Sequence, residues 1–122
     1  MGLGVASGTI WLQKIKPPID ASNDYLRDIS NVDYEAAFDR LCPAERVDGS
    51  PQSLERLDDE LLIDKYEVSP FDVNLDGSTA TLRVELAPED DGHVVRLRLR
   101  EIDGVWRPCG GRFGFVEGIR SD

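Results

Sequence analysis

The chain has 122 residues, of which 40% are hydrophobic and 31% are charged, and its formal net charge is −10. This balance is typical of one globular domain and argues against a disordered chain. The negative charge argues against a nucleic-acid binder, because phosphate groups require a basic field, and it disfavours docking of the domain surface on anionic lipid.

Residues 1–16 form a distinct N-terminal segment, because residues 1–12 carry no charge and two lysines follow them. As a helix, ten apolar residues span about 15 Å, half of a bilayer core, so this segment cannot cross a membrane alone. Either Met1 is an internal start and the segment is the remnant of a membrane anchor, or it is a flexible arm of a cytosolic protein. Trp11 beside the lysines is typical of a membrane interface and favours the first interpretation.

Residues 17–61 predict three helices, each with one apolar face. Pro17 and Pro18 are expected to end the preceding segment and to open the first helix. Asp33 is the expected N-cap of the second helix, and Pro43 closes it because the residue before a proline disfavours helical backbone. A loop then leads to the third helix. The three apolar faces consist of Ala21, Tyr25, Leu26 and Ile29; of Tyr34, Ala37, Phe38 and Leu41; and of Leu54, Leu57 and Leu61.

From Ile63 the hydrophobic pattern changes to a period of two, which predicts four antiparallel strands. Pro70 indicates that the first strand lies at an edge or carries a bulge. Asp76-Gly77 and residues 88–92 form the first two turns. In the third and clearest strand, the apolar residues Val95, Leu97 and Leu99 alternate with Arg96, Arg98 and Arg100.

The last hairpin turns at Asp103-Gly104, a dipeptide that tolerates positive φ, but the sequence leaves its register open. A two-residue turn would set Arg100 opposite Arg107 and place Trp106 on the leucine face. A longer loop that contains Glu101 would keep Trp106 opposite Leu99, whereas a three-residue loop would move Trp106 to the arginine face. Gly110 and Gly111 are expected to loosen the end of the sheet, before a short final strand or a segment that packs back.

Helices followed by strands indicate an α+β fold, with three helices over a four-stranded antiparallel meander. We expect the domain to span residues 17–116, with a C-terminal tail at 117–122.

The two cysteines, Cys42 and Cys109, allow either a disulfide in an oxidising compartment or two buried free thiols. Composition alone does not decide between them. A single histidine and the absence of closely spaced cysteines argue against a metal site. No motif for a cofactor and no catalytic triad is present, so neither a cofactor nor a catalytic residue is predicted.

The arginine row consists of Arg96, Arg98 and Arg100, with Arg107 expected across the hairpin. If the row lines a concavity, it can bind a carboxylate or phosphate group. Alternatively it is a solvated face paired with acids such as Glu85 on the neighbouring strand. Two exposed charges about 7 Å apart repel by roughly 0.6 kcal/mol in water, so no ligand is required, and the solvated face is favoured.

The chain resembles small extracytoplasmic members of the nuclear transport factor two-like superfamily, which has a cystatin-like cone fold. These relatives are actinobacterial cell-envelope proteins of lumazine-binding-like or unknown-function type. The resemblance covers about residues 19–111. The residues that carry it are Tyr25-Leu26, Asp33-Tyr34-x-x-Ala37-Phe38-x-x-Leu41-Cys42 and Gly104-x-Trp106-x-x-Cys109.

The resemblance implies a curved sheet roofed by the helices, a Cys42–Cys109 disulfide, frequent N-terminal membrane spans and pairing of two copies through the open sheet. It also implies a pocket between helices and sheet, which Tyr25 and Tyr34 can reach. The enzymatic members resemble ketosteroid isomerase or polyketide cyclases and carry Asp, His or Tyr in that pocket. The expected acid–histidine pair is absent from the sequence pattern.

We therefore expect a non-catalytic, extracytoplasmic and membrane-tethered domain that binds a small ligand or an envelope protein through the cone or the sheet face. The candidate ligand-binding residues are Tyr25, Tyr34, Arg96, Arg98, Arg100 and Trp106. One alternative is a small enzyme of isomerase or cyclase type that uses a pocket tyrosine or Glu101, the only strand acid in phase with an apolar row. The other alternative is a structural accessory module, which a filled apolar interior would favour.

Overall fold

The computed structural model describes the backbone of residues 3–47, 49–61, 63–87 and 92–117, and the side chains of 14–47, 49–61, 63–69, 73–87 and 92–116. Within these ranges, the helices all precede the strands. The helices are α1 (Leu3–Ser30), α2 (Tyr34–Arg40), α3 (Pro43–Arg46) and α4 (Pro51–Leu61). The strands are β1 (Tyr66–Asp76), β2 (Thr79–Leu86), β3 (His93–Ile102), β4 (Val105–Pro108) and β5 (Phe115–Glu117).

The strands form one curved, half-barrel antiparallel sheet with the helices on its inner face. The strand order is β1-β2-β3-β4, and β5 pairs with the same edge of β3, beyond the end of β4. This arrangement confirms the predicted α+β, cone-like fold. The short last strand extends the predicted four-stranded meander by pairing back on β3.

Helix α1 runs without a break through Pro17 and Pro18, so the prediction that these prolines end the preceding segment is wrong. A proline removes one backbone hydrogen bond and costs a helix interior about 3 kcal/mol. That cost is offset by packing, because α1 contacts α2, β1 and β4. Among the described residues, no helix is both long enough and apolar enough to span a membrane.

Helix α2 begins and ends as the sequence predicts. The carboxylate of Asp33 accepts a hydrogen bond from the backbone N–H of Ala36 at 3.3 Å, and the helix is closed before Pro43. The segment predicted as a loop instead contains α3, which has Pro43 at its first position. Proline suits this position because its missing N–H would have no partner there.

One hydrophobic core fills the space between the helices and the sheet. Leu97 and Leu99 are fully buried, which confirms the predicted inward face of β3. The core residues are Tyr25, Leu26, Ile29, Ala37, Leu41, Leu54, Leu57, Leu61, Ile63, Ala80, Leu82, Val84, Leu86, Val95, Leu97, Leu99 and Phe115.

Pro70 and the Asp103-Gly104 turn explain the register of the β1–β2 and β3–β4 pairs. Strand β1 lies at the edge of the sheet, and its register with β2 shifts between Val68 and Val73, around Pro70, as predicted. The last hairpin has a two-residue turn in which both residues have positive φ, 53° at Asp103 and 81° at Gly104.

Candidate functional site

The Cys42–Cys109 disulfide joins the end of α2 to the segment that follows β4. The two sulfur atoms lie 2.12 Å apart, and this is the pairing that the resemblance implies. The backbone N–H of Cys42 also donates to the carbonyl oxygen of Pro108 at 3.0 Å. The start of the β4–β5 loop (residues 109–114) is therefore held covalently and by a hydrogen bond.

Two further side chains hold the β4–β5 loop. Glu45 accepts hydrogen bonds from the backbone N–H groups of Gly110 at 3.2 Å and Phe113 at 3.0 Å. The hydroxyl of Tyr25 donates to the carbonyl oxygen of Phe113 at 2.8 Å. The pKa of Tyr25 is raised, first by burial and second by the negative charge of Glu45. The helices therefore anchor this loop at several points, although it contains the two glycines that were expected to loosen this end of the sheet.

The outer face of the sheet has a concavity of about 330 Å³ beside this loop, which we call the arginine pocket. Gly110 lies against Arg98, since a methyl group added at Gly110 would meet the Arg98 Cδ at 3.0 Å. The loop thus supports the aliphatic part of the Arg98 side chain. The pocket is lined by Ser78, Thr79, Arg98, Arg100, Cys109 and Gly110.

The two arginines of this pocket have no countercharge in the part of the chain that the structure describes. Neither Arg98 nor Arg100 makes an ion pair or hydrogen bond through its side chain with a described residue, and both are exposed. Glu85 lies opposite Val94 on β3 and makes no ion pair with Arg98 or Arg100.

The other members of the predicted row have different surroundings. Arg96 lies opposite Arg83 on one side, and its backbone pairs with Glu117 on the other. Arg107 lies opposite Arg100, as a two-residue turn requires, but its guanidinium donates to the carbonyl oxygens of Asp39 at 3.0 Å and Arg40 at 3.4 Å. Arg107 therefore binds the carboxyl end of α2, where a cation is favourable.

The structure does not bring the two candidate tyrosines together. Tyr25 is fully buried and bonds to the β4–β5 loop, whereas the hydroxyl of Tyr34 donates to the Asp58 carboxylate at 2.7 Å. The other oxygen of Asp58 accepts from the N–H of Ile63 at 2.9 Å. The hydrogen bond to Asp58, more than burial, raises the pKa of Tyr34. Both hydroxyls thus have structural partners.

Trp106 lies on the same face as Leu99 and is half-buried. It lines a groove of about 520 Å³ between α1 and the hairpin ends, which we call the tryptophan groove. Glu101 is the direct partner of Trp106 in the register, is exposed, and faces this groove. The lining residues are Lys14, Pro17, Leu75, Gly77, Glu101, Gly104 and Trp106.

Among the described side chains, no group of three or more His, Cys, Asp or Glu residues is placed to hold a metal ion.

Sequence reasoning missed Glu45. It lies in a segment predicted as a loop, and its two backbone partners are 65 and 68 residues away in the chain. Neither local composition nor periodicity marks such a residue.

The fold and these sites define a small α+β domain with a disulfide, a filled interior and ligand-sized concavities on its surface. Comparisons of the chain with protein-family models, with curated proteins and with solved structures find no match.

Proposed function

We propose that this protein is a non-catalytic binding domain that takes a small anionic ligand, carrying a phosphate or carboxylate group, in the arginine pocket. The observation that carries the proposal is that Arg98 and Arg100 line one concavity and have no described acidic partner. Core side chains occupy the space between helices and sheet, which moves a ligand site to the surface. The same filled interior also fits the structural accessory module, and absence of anion binding would favour that alternative.

The chemistry of the pocket suits an oxyanion. Side chains two residues apart on one strand face are about 7 Å apart, so one anion can bind both guanidinium groups. Guanidinium groups bind carboxylates and phosphates through paired, charge-assisted hydrogen bonds. The hydroxyls of Ser78 and Thr79 lie on the same lining and are further donors.

The test is a calorimetric titration of the oxidised chain with inorganic phosphate and, separately, with citrate. We expect binding that weakens with added sodium chloride. Arg98→Ala with Arg100→Ala should weaken it by at least about tenfold, since each charge-assisted hydrogen bond contributes about 1.5–3 kcal/mol.

Arg107→Ala is the control matched to Arg98→Ala alone, because each variant removes one positive charge and Arg107 does not line the pocket. If both variants lose the same affinity for the anion, net charge alone explains the binding and the arginine pocket is refuted. Sedimentation velocity at the same concentrations separates anion binding from pairing of two copies through the sheet.

We also propose that the protein works in an extracytoplasmic, envelope-associated compartment and belongs to the nuclear transport factor two-like superfamily. The disulfide supports an oxidising compartment, and the order of helices and curved sheet supports the superfamily. Thiol alkylation of protein isolated from its own cells without reductant tests the compartment. The proposal predicts no labelled thiol, and two labelled thiols would contradict it.

Membrane attachment through the N-terminal half of α1 is part of the same proposal. Its support is the uncharged sequence at 1–12, together with a helix that continues from Leu3 into the domain. The full chain should float with phosphatidylcholine vesicles, and Ile10→Asp with Trp11→Asp should abolish flotation. A wild-type chain that stays in the soluble fraction would contradict the attachment.

The tryptophan groove favours a second candidate function, a small isomerase or cyclase that uses Glu101 as a base. Its volume of about 520 Å³ is within the range of small-molecule sites, and one carboxylate faces it. Turnover of a ketosteroid or polyketide substrate that Glu101→Gln abolishes would support the enzyme. Turnover unchanged in that variant would exclude this role for Glu101.

A further inference from the structure

We propose that formation of the Cys42–Cys109 disulfide completes the arginine pocket, so that the oxidised chain binds its anion more tightly than the dithiol chain. The inference rests on the proposed function and adds its regulation: the protein gains its binding site when it reaches an oxidising compartment.

The disulfide lies in the wall of the arginine pocket. Cys109 is itself part of the pocket lining, and Gly110 beside it is the surface on which Arg98 lies. Gly110 has φ +104°, a backbone conformation that favours glycine, and a methyl group there would press on Arg98. The orientation of Arg98 therefore depends on where the chain runs directly after the disulfide.

The segment directly after Cys109 is held against the helical layer by one covalent bond and by hydrogen bonds. Cys42 lies on the helical layer, so the disulfide is the covalent tie between that layer and the pocket wall. Glu45 and Tyr25 bind the same loop through hydrogen bonds. Loss of the covalent tie leaves a loop that still docks but samples more positions, and ordering it on binding then costs free energy.

The chemistry of the switch balances as thiol–disulfide exchange. The two thiols of Cys42 and Cys109 lose two protons and two electrons to a disulfide-bearing oxidant, which is reduced to two thiols. Binding and oxidation are then linked reciprocally: if the oxidised chain binds tenfold more tightly, the bound anion stabilises the disulfide by the same factor. Tenfold corresponds to about 30 mV for this two-electron couple.

The experiment compares phosphate affinity of the oxidised chain, the chain held reduced by uncharged dithiothreitol, and the Cys42→Ala with Cys109→Ala variant. Near-ultraviolet circular dichroism checks that each is folded. We expect both disulfide-free forms to bind about tenfold more weakly, and phosphate to make the disulfide harder to reduce in a glutathione titration. Equal affinity in the folded dithiol chain would overturn the inference and leave the proposed function intact, whereas absence of binding to the oxidised chain would refute both.

Gly110→Ala is the second variant where the disulfide-free forms do not fold, because it keeps the bond and alters the pocket wall, through both the backbone at φ +104° and the surface under Arg98. We expect weakened phosphate binding with the disulfide intact. Full affinity in this folded variant would overturn the inference, since the wall next to Cys109 would then have no effect on the arginines.

Discussion

The hydroxyl of Tyr25, which is buried near the C-terminal end of α1, donates a hydrogen bond at 2.8 Å to the carbonyl oxygen of Phe113, which lies 88 residues later in the chain. Phe113 has φ +56°, a conformation that is uncommon for a residue other than glycine. The helical layer thus holds a turn that local preference alone would not select.

Tyr25→Phe should lower the free energy of unfolding by about 1–1.5 kcal/mol, because it removes one hydrogen bond and leaves a carbonyl without its donor. Urea denaturation measures the change. Tyr66→Phe is the matched control, since the Tyr66 hydroxyl lies 3.4 Å from the carbonyl oxygen of Asn23, a weak contact. An equal loss of unfolding free energy in both variants would show that the hydrogen bond to Phe113 contributes no more than the weak contact of Tyr66.

Alkaline pH should destabilise the fold through the same tyrosine. Burial raises the pKa of Tyr25 above its ordinary value of 10.0, and burial also raises that of Tyr66. Above about pH 10 the unfolded chain loses phenol protons that the folded chain retains, so stability is constant below that pH and falls as the pH rises further. In Tyr25→Phe the fall should be shallower by up to about 1.4 kcal/mol per pH unit. Urea midpoints measured from pH 9 upward that show equal slopes would contradict this assignment.

The disulfide should contribute much of the stability of so small a domain. It joins residues 67 apart in the chain, and closing a loop of this length is worth about 4 kcal/mol in the chain-entropy model. Cys42→Ala with Cys109→Ala should therefore lower the urea midpoint sharply, as should reduction of the wild-type chain. A midpoint that neither change moves would show that the hydrogen bonds of the β4–β5 loop suffice.

Arg107 and Arg98 should separate into a stability role and a binding role. Arg107→Ala removes the donor at the carboxyl end of α2 and should cost about 1 kcal/mol of stability, with phosphate affinity unchanged. Arg98→Ala should leave stability nearly unchanged and weaken binding. Thermal melts and phosphate titrations give the stability and the affinity of each variant. Loss of stability in Arg98→Ala with loss of affinity in Arg107→Ala would contradict these roles.

The layers of the fold could be predicted because they depend on local pattern. Alternation alone places Leu97 and Leu99 in the core, and Asp33 marks the start of α2 by its own capping chemistry. Turn chemistry limited the last hairpin to a few possible registers. The structure has the two-residue turn, with positive φ at Asp103 and Gly104, which sets Arg100 opposite Arg107.

The rest depends on contacts between distant parts of the chain. Pro17 and Pro18 locally disfavour a continuous helix, so the sequence alone predicts a helix boundary there. The packing of α1 outweighs this preference, and the helix continues through both prolines. Glu45 accepts hydrogen bonds from backbone N–H groups of the β4–β5 loop, which is distant in the chain. The Arg107 side chain donates to backbone carbonyl oxygens at the carboxyl end of α2. Two residues of the predicted ligand site lie apart because each has a different distant partner. The Tyr34 hydroxyl donates to Asp58, whereas the Tyr25 hydroxyl donates to the β4–β5 loop.

The most direct test of the arginine pocket is a phosphate titration of the oxidised chain followed by nuclear magnetic resonance, with the Nε–H signals of the arginines and the indole N–H of Trp106 assigned. We predict that the Arg98 and Arg100 signals shift together with one dissociation constant, while the Trp106 and Arg107 signals stay in place. Stationary signals from Arg98 and Arg100 at saturating phosphate, or shifts confined to Trp106, would contradict the account.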